Sequence, residues 1–246
     1  MRDIKNIVVL TGAGISAESG VPTFRTKNGS TYWEVTGGDG VPKYHRVEEI
    51  CTSQALAANR GLVLDFYDQR RRALGSVAPN AAHRALARLD AEWSGELLIV
   101  TQNVDDLHER AGAKRMLHMH GELLSALCEA CDGRAEFGGD MLDGPECDAC
   151  GAIALRPDIV FFGEMPYQME RIDRALLTAD LFVSIGTSGA VYPAAGFVQT
   201  ARYAGADTLE LNLDPSGGSV YFHETRLGPA GELVPTWVEA VLAAGR

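Results

Sequence analysis

Short apolar runs punctuate this chain, and longer stretches with helical spacing fill the gaps between them. Residues 7–11, 96–101, 181–186 and 208–213 are each mostly apolar and end within two residues on Gly, Asn, Thr or Asp. That is the pattern of a buried strand running into a turn. Apolar positions recur at helical intervals over 62–74, 80–91, 167–177, 192–203 and 231–244. Pro79 followed by Asn80 marks a helix start, so His83 is expected to be a structural residue of that helix. Trp237, Val238, Val241 and Leu242 would pack the last helix on a sheet. Strands alternating with helices predict an α/β fold: a Rossmann-like parallel sheet with helices on both faces. Ligands of such sheets bind beyond the carboxyl ends of the strands. Two stretches interrupt the alternation, 24–75 and 121–156, and together they predict a smaller second domain. The expected division is therefore 1–23, 76–120 and 157–246 for the sheet domain, 24–75 for a loop and helical module, and 121–156 for a cysteine-bearing module.

Composition changes little in this picture but excludes some classes. The apolar share is 46% and the charged share 22%, the mix of a folded globular protein rather than a disordered chain. No run approaches the ~18 apolar residues of a membrane span. The N-terminal apolar run is too short for a signal-peptide core, so a cytoplasmic location is expected. Lys and Arg number 22 against 33 Asp and Glu, for a net charge of −11, which argues against nucleic acid or anionic membrane as a partner.

Candidate chemistry lies in three places. Gly12-Ala13-Gly14-Ile15-Ser16-Ala17 follows the first strand and fits G-x-G-x-x-G/A, a turn whose backbone can approach a pyrophosphate. A plain tight strand–helix turn fits it equally well. A hydride-transfer enzyme would also carry a second strand ending in an acid about 20 residues on. Residues 28–38 occupy that place and are predicted to be a loop, leaving Glu34 without a strand. Next, Cys128-x-x-Cys131 and Cys147-x-x-Cys150 are separated by fifteen residues. Two such knuckles place four thiolates around one structural Zn²⁺ and leave no open position for catalysis. The intervening loop holds Asp132, Glu136, Asp140, Asp143 and Glu146 against Arg134, which disfavours phosphate contact. Last, the strand 96–101 runs into Gln102-Asn103-Val104-Asp105, and His118-Met119-His120-Gly121-Glu122 follows. Taken singly these residues fit capping or turn chemistry; Asn103 could cap the helix after it.

Together, Gly12-Ala13-Gly14-Ile15-Ser16 with Pro22-Thr23-Phe24-Arg25, Thr101-Gln102-Asn103-Val104-Asp105, His120-Gly121-Glu122, the two cysteine pairs, Phe162-Gly163-Glu164, Gly186-Thr187-Ser188 and Asn212-Leu213 resemble the sirtuin family. They occur in family order and span residue 12 to about residue 230. The resemblance implies a Rossmann-like domain plus a small domain of zinc ribbon and helical module, and a deacylase of protein lysines that consumes NAD. It implies that Gly12, Ala13, Gly14, Ser16, Gly186, Thr187 and Ser188 line the adenosine and phosphate site. Asn212, Leu213 and Asp214 would hold the adenine ribose, with Ala230 near the adenine. Phe24, Arg25 and Trp33 would belong to the cofactor loop region. Ile15, Asn103, Val104 and Asp105 would surround the nicotinamide and Gln102 its ribose, and His120 would be the general base. The implied products are nicotinamide, free lysine and 2′-O-acyl-ADP-ribose.

Tyr67 and Arg70 are three apart on the helix 62–74 and share a face. In isolation Arg70-Arg71-Arg72 is a solvated basic turn that complements the helix dipole. Within the sirtuin resemblance, Tyr-x-x-Arg is similar to the bacterial desuccinylase/demalonylase branch (class III), in which phenol and guanidinium both donate to an acyl carboxylate. Cys51 stands where that branch typically carries alanine, and the segment 27–45 is longer than expected. Three alternatives stay open: a general deacetylase, an enzyme that moves ADP-ribose to protein or water, and a non-catalytic NAD-binding module. The protein substrates and oligomeric state are not legible; a monomer fits.

Overall fold

The computed structural model of the chain describes residues 4–22, 32–36 and 42–245. The first part runs β1 (Asn6–Thr11), α1 (Ala13–Ala17), β2 (Tyr32–Thr36), β3 (Pro42–Arg46), α2 (Ser53–Ala58), α3 (Arg60–Leu74) and α4 (Ala81–Glu92). The middle runs β4 (Glu96–Thr101), α5 (Leu107–Ala111), β5 (Met116–His118), β6 (Gly121–Cys128), β7 (Arg134–Glu136) and β8 (Leu155–Ile159). The remainder is α6 (Met169–Thr178), β9 (Leu181–Ile185), α7 (Phe197–Tyr203), β10 (Asp207–Asn212), β11 (Glu224–Leu227) and α8 (Ala230–Ala244).

Alternation within each strand decides the layers. In β1, Ile7 and Val9 face a core shared with Leu86 and Leu89 of α4 and Val234, Trp237 and Leu242 of α8. Val8 and Leu10 point the other way, into a core with Ile172 and Leu176 of α6 and Val198 and Ala201 of α7. Successive side chains of a strand alternate faces, so a run apolar at every position needs helices on both sides. The sheet order is β11-β10-β9-β1-β4-β5, with every pairing parallel. The chain builds outward from β1 through β4 to β5, then returns to the other side of β1 with β9. The strand order reverses there, and the connections leave the carboxyl ends of β1 and β9 in opposite directions. A crevice opens at such a point.

The four expected strands form the centre of this sheet. The structure adds β5 and β11 at its edges, three and four residues long. They are too short to show a periodicity, and β11 is exposed throughout. The helix expected over 192–203 begins as a 3-10 turn, Ala194–Gly196, with the α-helix confined to Phe197–Tyr203. Residues 28–38 are corrected more substantially: Tyr32–Thr36 is a strand, paired antiparallel with Pro42–Arg46. Its partner is a local hairpin arm whose polar sequence carries no strand signal. Glu34 therefore does sit in a strand, but one outside the main sheet.

A second core joins the two interrupting segments. Val63, Leu64, Phe66 and Tyr67 of α3 pack with Trp33 of the hairpin, Ile50 and Cys51, Leu123 and Ala126 of β6, and Phe161. β6 is the central strand of a three-stranded antiparallel ribbon with β7 and β8. Among the described residues, no helix is long and apolar enough to cross a membrane.

Candidate active site

The glycines of the first loop answer to backbone as well as to any ligand. Gly12 N–H donates to the Ile185 carbonyl (3.0 Å) and Gly14 N–H to the Gly186 carbonyl (2.8 Å). A Cβ on Gly14 would lie 2.7 Å from the Gly186 Cα, and one on Gly186 would lie 2.5 Å from the Ile15 nitrogen. Gly186 also has φ +62°, a left-handed conformation natural to glycine. The loops after β1 and β9 thus cross in contact, which brings Gly12, Ala13, Gly14 and Ile15 beside Gly186, Thr187 and Ser188. The turn after β10 joins them, for Asn212 Nδ2 donates to the Thr187 carbonyl (2.7 Å). Leu213 and Asp214 follow on the surface, and Ala230 opens α8. These loops form a cradle at the strand-order reversal, and its donor set of backbone amides, hydroxyls and one amide side chain suits a dinucleotide. Phe24 and Arg25 lie outside the described residues.

Ser16 is fully buried at the floor of this crevice. The Asn80 N–H donates to His83 Nδ1 (3.3 Å), so Nε2 carries the proton of that ring and donates to Ser16 Oγ (3.3 Å). Asn103 Nδ2 donates to the same oxygen (3.0 Å), and the Ser16 hydroxyl bonds the Asp105 carboxyl. Burial pushes Asp105 above the ordinary carboxylate range and holds His83 down to about 4. His83, expected to be merely structural, thus fixes Ser16, and Ser16 fixes Asn103 and Asp105. No sequence signal separates that role from helix capping, because Asn80 also accepts from the N–H groups of Ala82 and His83 as an N-cap. Asn103 itself does not cap α5. The cap residue is Asp106, and Asn103 turns toward Ser16 instead.

His120 Nδ1 meets the Gln102 carbonyl (3.1 Å). A carbonyl only accepts, so Nδ1 carries the hydrogen and the lone pair of a neutral ring lies on Nε2. Burial lowers the basicity of His120 and the Gln102 contact opposes it. The half-buried Val104 follows, its carbonyl tied to Leu123 N–H (2.8 Å).

Along α3, Tyr67 is buried against Phe66 and Phe161, with ring centroids 5.0 and 5.9 Å away. The Cys51 thiol is hydrogen-bonded to it, and burial raises both groups. Arg70 is half-buried, its guanidinium 4.0 Å above the Trp33 ring and 5.1 Å from Phe66. Trp33 thus serves as a platform for Arg70. Phe162-Gly163-Glu164 is tied to the start of α2: Phe162 bridges Thr52, and Ser53 Oγ donates to Glu164 (2.9 Å).

The four cysteines converge. The Cys128–Cys150 and Cys131–Cys147 sulfurs are 3.7 and 3.8 Å apart, and all four lie within 4.8 Å of one another. A tetrahedron with Zn–S bonds of ~2.3 Å has edges of ~3.8 Å. The two knuckles are built alike. Asp132 N–H donates to the Cys128 carbonyl and Gly151 N–H to the Cys147 carbonyl, and both donor residues have positive φ. Four thiolates in that arrangement fit a closed zinc site.

Residues 12–193 match the model of the Sir2 family. A protein of Vibrio vulnificus named NAD-dependent protein deacylase is 52% identical over 242 residues, 97% of this chain and 94% of that one. One of Caulobacter vibrioides, with the same name, is 50% identical over 247 residues, 99% of each. A crystal structure of a Sir2 homologue in complex with NAD superposes with a TM-score of 0.86 at 36% identity, covering 99% of this chain and 92% of that one.

Proposed function

The chain belongs to the Sir2 family and is an NAD-dependent protein deacylase, and we propose that it prefers succinyl- and malonyl-lysine while also accepting acetyl-lysine. The observation that supports the preference is the pairing on α3. Tyr67 and Arg70 share a face, and Arg70 rests on the Trp33 and Phe66 rings rather than extending into solvent. A phenol and a guanidinium so held can donate together to an acyl carboxylate. Cys51, buried and hydrogen-bonded to Tyr67, is a small side chain and so is compatible with an acyl pocket at this face.

NAD, the co-substrate, supplies the ribose carbon that accepts the acyl oxygen as nicotinamide departs. In this reading Gly12, Ala13, Gly14, Ser16, Gly186, Thr187 and Ser188 hold adenosine and phosphates. Asn212, Leu213, Asp214 and Ala230 bound the adenine end, and Phe24 and Arg25 contribute to NAD binding. Ile15, Asn103, Val104 and Asp105 orient the nicotinamide and Gln102 its ribose. Asn103 and Asp105 are pre-set by Ser16, so their polar atoms need not reorganise on binding. His120, neutral and with Nδ1–H tied to Gln102, takes the ribose proton at Nε2. Cys128, Cys131, Cys147 and Cys150 hold one structural zinc. Paired thiolates of this kind favour a reducing compartment, the cytoplasm.

The test is a mass-spectrometric assay with NAD and one peptide in acetyl and succinyl forms. Faster succinyl removal, with 2′-O-succinyl-ADP-ribose as product, is expected. Faster acetyl removal would overturn the preference, and ADP-ribose found on peptide would favour the transferase alternative.

A further inference from the structure

His118 and His120 flank one buried methionine, and they meet consecutive carbonyls of the loop opposite. His120 Nδ1 lies 3.1 Å from the Gln102 oxygen and His118 Nδ1 lies 2.7 Å from the Asn103 oxygen. Both Nδ1 atoms therefore carry hydrogens. The rings differ at the other nitrogen. His118 Nε2 is 2.6 Å from Glu109 Oε1, an acceptor as well. A ring that donates from both nitrogens is an imidazolium. The His118 side chain is only 7% exposed, so this charge is desolvated and depends on its partners.

Those partners surround it. Glu109 and His108 face it from α5, Asp105 and Asp106 from the loop, Glu122 from β6 and Glu136 from β7. The carboxylates favour the charged ring. His108 is itself neutral, held down to about 3 by burial, so it adds no opposing charge near pH 7. Burial works against the proton on His118, yet Glu109 and the Asn103 carbonyl outweigh it and raise its basicity.

The geometry points to His118 as a positioning residue for the nicotinamide side of the site, gripping the Asn103 carbonyl from behind while Ser16 grips the Asn103 amide from the front. This inference rests on the reading of Asn103 and Asp105 as nicotinamide contacts. Other ties of the loop between Thr101 and Leu107 include Gln102 N–H to the Thr11 carbonyl (2.9 Å), Asn103 N–H to Thr101 Oγ1 (3.0 Å), Leu123 N–H to the Val104 carbonyl (2.8 Å), Leu107 N–H to Asp105 Oδ1 (3.3 Å) and Arg110 N–H to the Asp106 carbonyl (3.0 Å), and none of these holds the Asn103 carbonyl. Releasing His118 frees the carbonyl side of Asn103. Affinity for nicotinamide and NAD falls, whereas the acyl-lysine pocket on α3 is untouched. The clamp also has a pH sense. It is complete while the ring holds both protons and weakens as pH rises through the raised pKa of His118, because the neutral ring keeps only one of its two donors.

Two variants test it: His118→Gln, which removes the ring, and Glu109→Gln, which sits on the exposed side of α5 and removes only the charge partner. A hydrogen bond to a charged group contributes about 1.5–3 kcal/mol, so KM for NAD and the inhibition constant of nicotinamide should each rise at least about tenfold in His118→Gln. KM for the acyl peptide should stay within about twofold. In Glu109→Gln the alkaline loss of NAD affinity should move to lower pH. Nitrogen NMR of the wild type should find both His118 ring nitrogens protonated at pH 7. A neutral His118, or variants with unchanged NAD affinity, nicotinamide inhibition and alkaline limb, would overturn the inference. If the wild type released no nicotinamide from any acylated peptide, the deacylase reading would fail instead. Calorimetric NAD binding to wild type and variants would still decide the clamp.

Discussion

Arg70, Arg71 and Arg72 are the same residue three times over, yet the fold gives each a different partner. Arg70 lies over Trp33, and Arg72 pairs with Asp140 at the surface. Arg71 is buried. It donates to Asp68 Oδ1 (2.5 Å), the Leu123 carbonyl (2.7 Å) and the Gly139 carbonyl (3.1 Å). Asp68 in turn accepts from the Met141 and Leu142 N–H groups (3.0 and 2.9 Å), so a salt bridge out of water also anchors the ribbon loop. A solvated basic turn was a fair reading of the triplet by itself. All the partners outside α3 are 30 or more residues away, and helical spacing carries no information about them. The Trp33 platform gives a direct prediction. A cation over an aromatic face contributes about 0.5–2 kcal/mol, so Trp33→Leu should lower the succinyl-to-acetyl ratio of kcat/KM by about 2- to 30-fold. Parallel assays of the two peptides measure that ratio. A ratio that stays constant would mean that Trp33 does not hold Arg70 in its working position.

At the level of elements, the cysteine ribbon is tied to the helical module rather than appended to it. Leu123 and Ala126 of β6 share a core with Phe66 and Tyr67 of α3. Zinc removal by a chelator should therefore lower Tm by on the order of 10 °C or more and depress acetyl and succinyl removal together. Metal analysis alongside a melt checks this. One zinc per chain is expected in the untreated protein, and a ribbon that kept its stability without metal would contradict it. The cysteine spacing made this site legible, because four thiolates have few ways to meet. The central strands were legible too, since full burial on both faces demands unbroken apolar runs. The hairpin and the edge strands were not. Tyr32–Thr36 pairs with a polar neighbour, and Met116–His118 is too short for any pattern. Glycine at 14 was legible as a tight turn. Its contact with Gly186 was not, because that residue arrives from the far side of the sheet.

Over the whole molecule, the reversal of strand order around β1 assembles the site. It brings the β1, β9 and β10 turns together, and the loop after β4 then supplies Gln102, Asn103 and Asp105 beside them. The polar floor beneath has a consequence for stability. His83 and His108 are buried and neutral, with values of about 4 and about 3. An unfolded chain binds those protons near pH 6.5, and the folded chain refuses them. Stability is therefore fully present above pH 6.5 and declines as pH falls toward the folded values, by about 2 kcal/mol per histidine between pH 6.5 and 5. The raised basicity of His118 works in the opposite direction, but above that window: its contribution is complete in acid and lost as pH rises. Urea unfolding across pH 5 to 7 should show this acid slope, and His108→Gln should flatten it. An unchanged slope in that variant would contradict the buried neutral ring.

All of these scales meet at the face of α3 that carries Tyr67 and Arg70, proposed above to read an acyl carboxylate. The most direct test is kcat/KM for the acetyl and succinyl forms of one peptide, with wild type and Arg70→Met. Methionine keeps the length and apolar bulk of the side chain and removes the guanidinium. Loss of a charge-assisted pair predicts succinyl removal at least about tenfold slower, with acetyl removal nearly unchanged. Equal effects on both peptides, or none on either, would contradict a guanidinium that reads the acyl carboxylate.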